Sequence, residues 1–90
     1  MKTIWRFVLD VTRDMVVKMP QGAEVLRFGY QDGKPCLWAL VDDQATQVAH
    51  YFTLRMTGEP AEGLTKAQFV GALLVKGNGQ VAQLFDLGES

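Results

Sequence analysis

Ninety residues, 48% hydrophobic and 21% charged, describe one folded domain, residues 1–90, with a core that is small for its surface. One cysteine, Cys36, excludes an internal disulfide, and one histidine, His50, leaves no ligand set for a structural zinc. Nine basic and ten acidic residues, scattered without a run, make no phosphate-binding stripe, so nucleic acid is not an expected partner.

The chain opens as a secretory leader would, but Arg6 and Asp10 interrupt the apolar stretch and no small-residue cleavage site follows. No apolar run approaches the ~20 residues of a membrane helix. With a free thiol, these features predict a soluble protein of a reducing compartment, without a membrane partner.

Thr3 to Val11 alternates as a strand does, with Thr3, Trp5, Phe7, Leu9 and Val11 on one face and Ile4, Arg6, Val8 and Asp10 on the other. After the polar break at Thr12–Asp14, Met15 to Met19 reads as a second strand, stopped by the turn-forming Pro20-Gln21-Gly22. Ala23–Tyr30 and Pro35–Val41 then flank Gln31-Asp32-Gly33-Lys34, and Asp-Gly between apolar runs is a strong hairpin signal. A two-residue loop at Asp32-Gly33 sets Arg27 against Trp38, Gly29 against Cys36 and Val25 against Leu40. On the other face, Phe28 meets Leu37 and Leu26 meets Ala39.

Asp42 to Thr46 reads as a polar connection with room for one helical turn, and Gln47 to Met56 as a longer strand carrying His50, Phe52, Leu54 and Met56 on one side. A helix over Asp43 to Tyr51 is the competing reading. Thr57 to Lys66 is irregular. The last hairpin spans Ala67–Lys76 and Gln80–Leu87, with Asn78-Gly79 as a primed-turn dipeptide, and Gly88 to Ser90 is expected to fray. Turn signals every 8–12 residues predict an all-β domain, a small antiparallel barrel or sandwich of about six or seven strands with at most one short helix.

The central hairpin is apolar on both sides, whereas an antiparallel sheet with one solvated face alternates. Something is expected to cover the face bearing Arg27, Cys36 and Trp38: a second sheet, a second subunit or a ligand. Trp and Arg are residue types enriched in interaction hot spots. The plainer alternative places Trp38 in the main core, with Arg27 laid along it. The interface set on this reading is Trp38, Cys36, Val25 and Leu40.

A second candidate is the loop after Arg55, where Gly58 admits backbone N–H groups to an anion and Thr57 adds a hydroxyl; the bland reading is a plain connection. His50 has no neighbouring nucleophile and no legible orienting carboxylate, and its alternation groups it with Phe52 and Leu54 in a core or interface. Cys36 reads as an inert buried thiol. Asp42 and Asp43, being adjacent, point to opposite faces rather than forming a working pair. The expectation is no enzyme and no cofactor.

Met19-Pro20-Gln21-Gly22-Ala23-Glu24-Val25-Leu26, then Phe28-Gly29 and Gln31-Asp32-Gly33-Lys34-Pro35-Cys36-Leu37-Trp38-Ala39-Leu40-Val41-Asp42, make a block that resembles a set of small proteins of unknown function common in tailed bacteriophages and prophages. The likeness extends to Ile4-Trp5 and Phe7, to Phe52, Thr57-Gly58 and Pro60, and to Phe69-Val70-Gly71 and Leu84-Phe85; the apolar run Leu73-Leu74-Val75 departs from it. The resemblance implies a phage accessory protein of the host bacterial cytoplasm, without a catalytic residue.

Combined with the chemistry above, the leading expectation is a phage-encoded, homo-oligomeric anti-defence protein that sequesters a small nucleotide-derived immune signal. Arg27 and Arg55 would neutralise phosphate, Trp38 or Tyr30 would stack on a base, and Thr57 and Gly58 would complete the cradle. The alternative is a protein–protein module that inhibits or bridges a host defence protein or a phage protein, and the third reading is a virion component.

Overall fold

The computed structural model describes all of residues 1–90. Seven strands form: β1 (Lys2–Val8), β2 (Asp14–Pro20), β3 (Glu24–Gln31), β4 (Lys34–Asp42), β5 (Gln47–Met56), β6 (Phe69–Leu74) and β7 (Val81–Glu89). The one helical element is a 3-10 turn at Lys66–Gln68. No helix is long and apolar enough to cross a membrane.

The strands make two antiparallel sheets, a three-stranded one in the order β1-β4-β3 and a four-stranded one in the order β2-β5-β7-β6. They pack face to face as a small sandwich, as the strand count and turn spacing predict. Alternation explains the packing, because every second residue of each strand turns inward. Leu37, Ala39 and Val41 of β4 and Phe28 of β3 meet Met15, Met19, Phe52, Leu54, Ala82 and Leu84 of the larger sheet in one core. Along one side β3 lies against β6, where Gly71 lets the backbones close: a Cβ there would already touch the Phe28 Cβ at 3.5 Å. On the other side β1 and β2 are edges with no strand paired beyond them.

The central hairpin turns where expected. Asp32 and Gly33 have φ of 52° and 76°, the left-handed pair that a type I′ loop needs. Gly33→Ala is therefore expected to cost about 1 kcal/mol, read as a shift in urea midpoint, because alanine is strained at that φ. From the turn outward the pairing holds through Gly29↔Cys36, Phe28↔Leu37 and Arg27↔Trp38. A bulge then intervenes, and Val25 pairs with Ala39 and Glu24 with Leu40. The expected pairs Val25–Leu40 and Leu26–Ala39 are thus wrong by one residue. The extra residue turns Val25 inward against the core and leaves Leu26 outside, 51% exposed.

Gln47–Met56 is a strand throughout, which disposes of the competing helix, and the preceding connection contains no helical turn. The last hairpin differs more from expectation. Its strand begins at Phe69 because the 3-10 turn occupies Lys66–Gln68. Gly77 and Gly79 take positive φ but Asn78 does not, so no primed two-residue turn forms. Instead the Val75 N–H donates to Gln80 O at 2.7 Å across a four-residue loop, and Asn78 Oδ1 accepts from the Gln80 N–H at 2.9 Å. The C-terminus is also tied down rather than frayed. Gly88 pairs with Tyr51 and Glu89 with His50, and Glu89 Oε1 accepts the Gly22 N–H at 2.7 Å.

Candidate functional site

The outward face of the three-stranded sheet is built from the even-numbered positions of β1 and β4, the positions that alternation leaves after the core is filled. Across the three strands the rows read Val8–Cys36–Gly29, then Arg6–Trp38–Arg27, then Ile4–Leu40–Glu24. Trp38 stands at the centre with an arginine on each neighbouring strand. The Arg27 guanidinium carbon lies 5.1 Å from the indole centroid, within cation–π range. It reaches that position by leaning back over Gly29, where a Cβ would come within 3.1 Å of its Nε. Cys36 is fully covered although it faces outward, and its thiol donates to Lys34 O at 3.4 Å.

Around this centre Ile4, Val8 and Leu26 are 57, 54 and 51% exposed, and Trp38 and Leu40 are half-buried. Trp38 lies on the opposite side of its sheet from the main core, so the plainer alternative does not hold. The two-sided apolarity of the hairpin is real, and no element of this chain covers its outer side. The row ends in charge at Lys2↔Asp42. The Gln44 N–H, with the N-terminal ammonium 3.4 Å away, holds the Asp42 carboxyl below the usual carboxylate range. The hydrogen bond to Asp43 at 3.1 Å raises that ammonium above its ordinary value.

The other expected site residues do not join this surface. Val25 is on the core side. Tyr30 sits at the end of the sandwich in an apolar cleft of about 300 Å³ with Phe28, Leu54, Met56 and Leu73. Its hydroxyl donates to Leu74 O at 3.0 Å, and Lys76 Nζ lies 4.8 Å from its ring centroid. Arg55 belongs to the outer face of the other sheet, where its Nε and Nη1 are bonded within the chain. It donates to Pro60 O at 3.0 Å, to Leu54 O at 3.0 Å and to Thr53 Oγ1.

The loop around Gly58 does turn on a glycine with φ of 96°, and the N–H groups on either side of it, Thr57 and Glu59, bond to Val81 O and Met56 O. Glu59 Oε1 accepts the Met56 N–H at 2.6 Å, and its Oε2 accepts from Arg13 at 3.0 Å. Thr57 Oγ1 accepts from Gln83 at 3.0 Å. The Glu59 carboxylate thus takes the Met56 N–H and the Arg13 guanidinium at this loop, while Arg55 and Thr57 bond to other partners within the chain.

His50 has the partner that the sequence reading missed. It is 3% exposed, stacks on Phe52 with centroids 4.8 Å apart, and its Nε2 lies 2.7 Å from Asp86 Oδ1. The available signal was parity: Asp86 shares the inward face of β7 with Ala82 and Leu84. Neither Cys36, on the other sheet's outer face, nor Thr53, on the outward side of β5, shares the His50 face. Arg6 was missed too, because the β1–β4 pairing joins strands about thirty residues apart.

No curated protein and no solved structure matches this chain. A family model covers it completely, over residues 1–90, and the surface just described therefore belongs to a member of the family described as a domain of unknown function, DUF7352.

Proposed function

We propose that this domain is a non-enzymatic interaction protein that docks on another protein through the outer face of β1-β4-β3. The observation that carries this reading is Trp38, held outside the core in an exposed apolar stripe and flanked by Arg6 and Arg27. An aromatic anchor between arginines, with apolar residues around it, is the composition of a protein-binding hot spot. The fitting partner presents an apolar ridge bordered by carboxylates. Two copies of this face centred on Trp38 would oppose arginine to arginine, so the charge there favours a different protein over self-docking. The setting in a phage-infected bacterial cytoplasm rests on the resemblance of the central block, and a host defence protein as the target is the extension of that setting.

The small-nucleotide reading needs Arg27 and Arg55 in one pocket with Trp38 or Tyr30. Within one chain these residues lie on one outer face, on the opposite outer face and between the sheets, which moves the balance to a protein partner.

The test is capture from a phage-host bacterium by the tagged protein, followed by affinity measurement on the purified pair. Trp38→Ala is expected to weaken binding by ~30-fold or more. Arg6→Glu with Arg27→Glu should slow association and flatten its salt dependence. Retention of the partner by both variants, with circular dichroism unchanged, would refute the proposal. Thermal stabilisation by a cyclic dinucleotide, lost in Arg27→Ala, would do so equally and restore the ligand reading.

A further inference from the structure

The free edge of the larger sheet is written in a self-complementary pattern. β2 bonds to β5 through its odd-numbered residues, as the flanking contacts Leu54 N–H to Arg13 O and Gln21 N–H to Thr46 O, both 2.7 Å, establish. The backbone N–H and C=O groups of Asp14, Val16 and Lys18 therefore point away from the sheet. One lone pair of the Asp14 carbonyl takes the Thr12 hydroxyl at 2.8 Å, and the other is open. Val16, at the centre, is 59% exposed. Beside this edge runs a groove of about 430 Å³ whose lining includes Leu9, Asp10 and Thr12.

We infer that β2 pairs with β2 of a second copy, antiparallel and centred on Val16. In that register the three outward-facing residues are the ones that pair: Val16 meets Val16 of the partner, and Asp14 meets Lys18 of the partner on both sides of the axis. Three paired positions with two bonds each satisfy the open backbone groups, and both ends carry an opposite-charge cross-strand pair. Centring on Lys18 would oppose ammonium to ammonium, and centring on Val17 would set Asp14 against Pro20, which has no N–H to give. Nor does the other free edge offer the same match. The outward residues of β1 are Lys2, Ile4, Arg6 and Val8, so pairing β1 to itself about Ile4 would place Lys2 against Arg6. An exposed edge with an apolar centre and no internal proline is a template for strand addition.

The two-fold axis of such a pair is normal to the joined eight-stranded sheet. It carries both copies of the Arg6–Trp38–Arg27 row to the same side, so one dimer offers two docking faces. The dimer does not depend on that face binding anything.

Sedimentation equilibrium should give twice the 10.0 kDa chain mass, falling toward the monomer on dilution. The amides of Asp14, Val16 and Lys18 should exchange slowly in the dimer and fast in the dilute protein. Lys18→Glu, an exposed charge change that leaves the core intact, should raise the dimer dissociation constant by roughly tenfold. Val16→Pro deletes an outward N–H without touching the β5 ladder and should give the monomer; if its circular dichroism is lost, Lys18→Glu decides alone. A monomer at every concentration into the millimolar range would overturn the proposal. So would a dimer that Lys18→Glu leaves equally tight, or one whose three amides exchange freely.

Discussion

Phe52→Ala is expected to remove 3–5 kcal/mol of stability, about the usual cost of truncating a buried Phe. A domain of this size has roughly 5–15 kcal/mol in total, so the variant should be largely unfolded at 37 °C or held folded by a narrow margin. Phe52 is the largest fully buried side chain, at 1% exposure. It stands on the central part of the larger sheet, paired with Met15 on β2 and with Asp86 on β7, and it carries the His50 ring on its face. Alanine would leave a void that neither sheet can close without sliding, because three strands meet around it. Phe52→Leu keeps most of the volume and should cost about 1–1.5 kcal/mol, which keeps the measurement within the range of a urea titration. A loss below 1 kcal/mol for the alanine variant would mean that the two sheets are not held by a shared core.

Strand identity was legible wherever period-two alternation ran unbroken, as in Gln47–Met56, and the Asp-Gly turn yielded a register correct to Arg27↔Trp38. Legibility ended at the bulges. Each of the three, near Leu26, Leu87 and Val70, inserts one residue with nothing in the local pattern to mark it. A sheet bulges where its curvature over the opposite sheet demands it, and that demand is tertiary. One such insertion moved Val25 from the predicted interface into the core and put Leu26 in its place outside.

The candidate site divides the same way. Arg27 and Trp38 face each other across a hairpin, so a local turn suffices to predict the contact. Arg6 joins them through β1–β4 pairing and Asp86 joins His50 through β5–β7 pairing, and both are matters of strand order. Arg55 bonds locally, to Pro60 and Thr53, through contacts that no periodicity displays, and Thr57 accepts from Gln83 across the β5–β7 pairing, again a matter of strand order.

Asp86→Ala should cost about 2 kcal/mol, and more than His50→Leu costs. Asp86 Oδ1 takes two donors, His50 Nε2 at 2.7 Å and the Gly88 N–H at 2.8 Å. The Nδ1 atom of His50 has no partner at all. Deleting the carboxylate leaves a 3%-exposed imidazole with neither nitrogen satisfied, and the penalty for stranding a buried polar group exceeds the net value of the bond it made. The Asp86 side chain is itself 26% exposed, so water can enter from its side, and this holds the cost below that of breaking a fully buried pair. His50→Leu removes both nitrogens together, leaves a hydrophobe against Phe52, and leaves a partly exposed Asp86 carboxylate that still accepts the Gly88 N–H. Because that carboxylate keeps water and one donor, the cost should be about 1 kcal/mol, the net value of the lost bond. Urea midpoints of the two single variants and of the double variant separate the effects. If His50→Leu proved the more damaging, the imidazole would be contributing something beyond shape, and its unpartnered Nδ1 would be the atom to pursue.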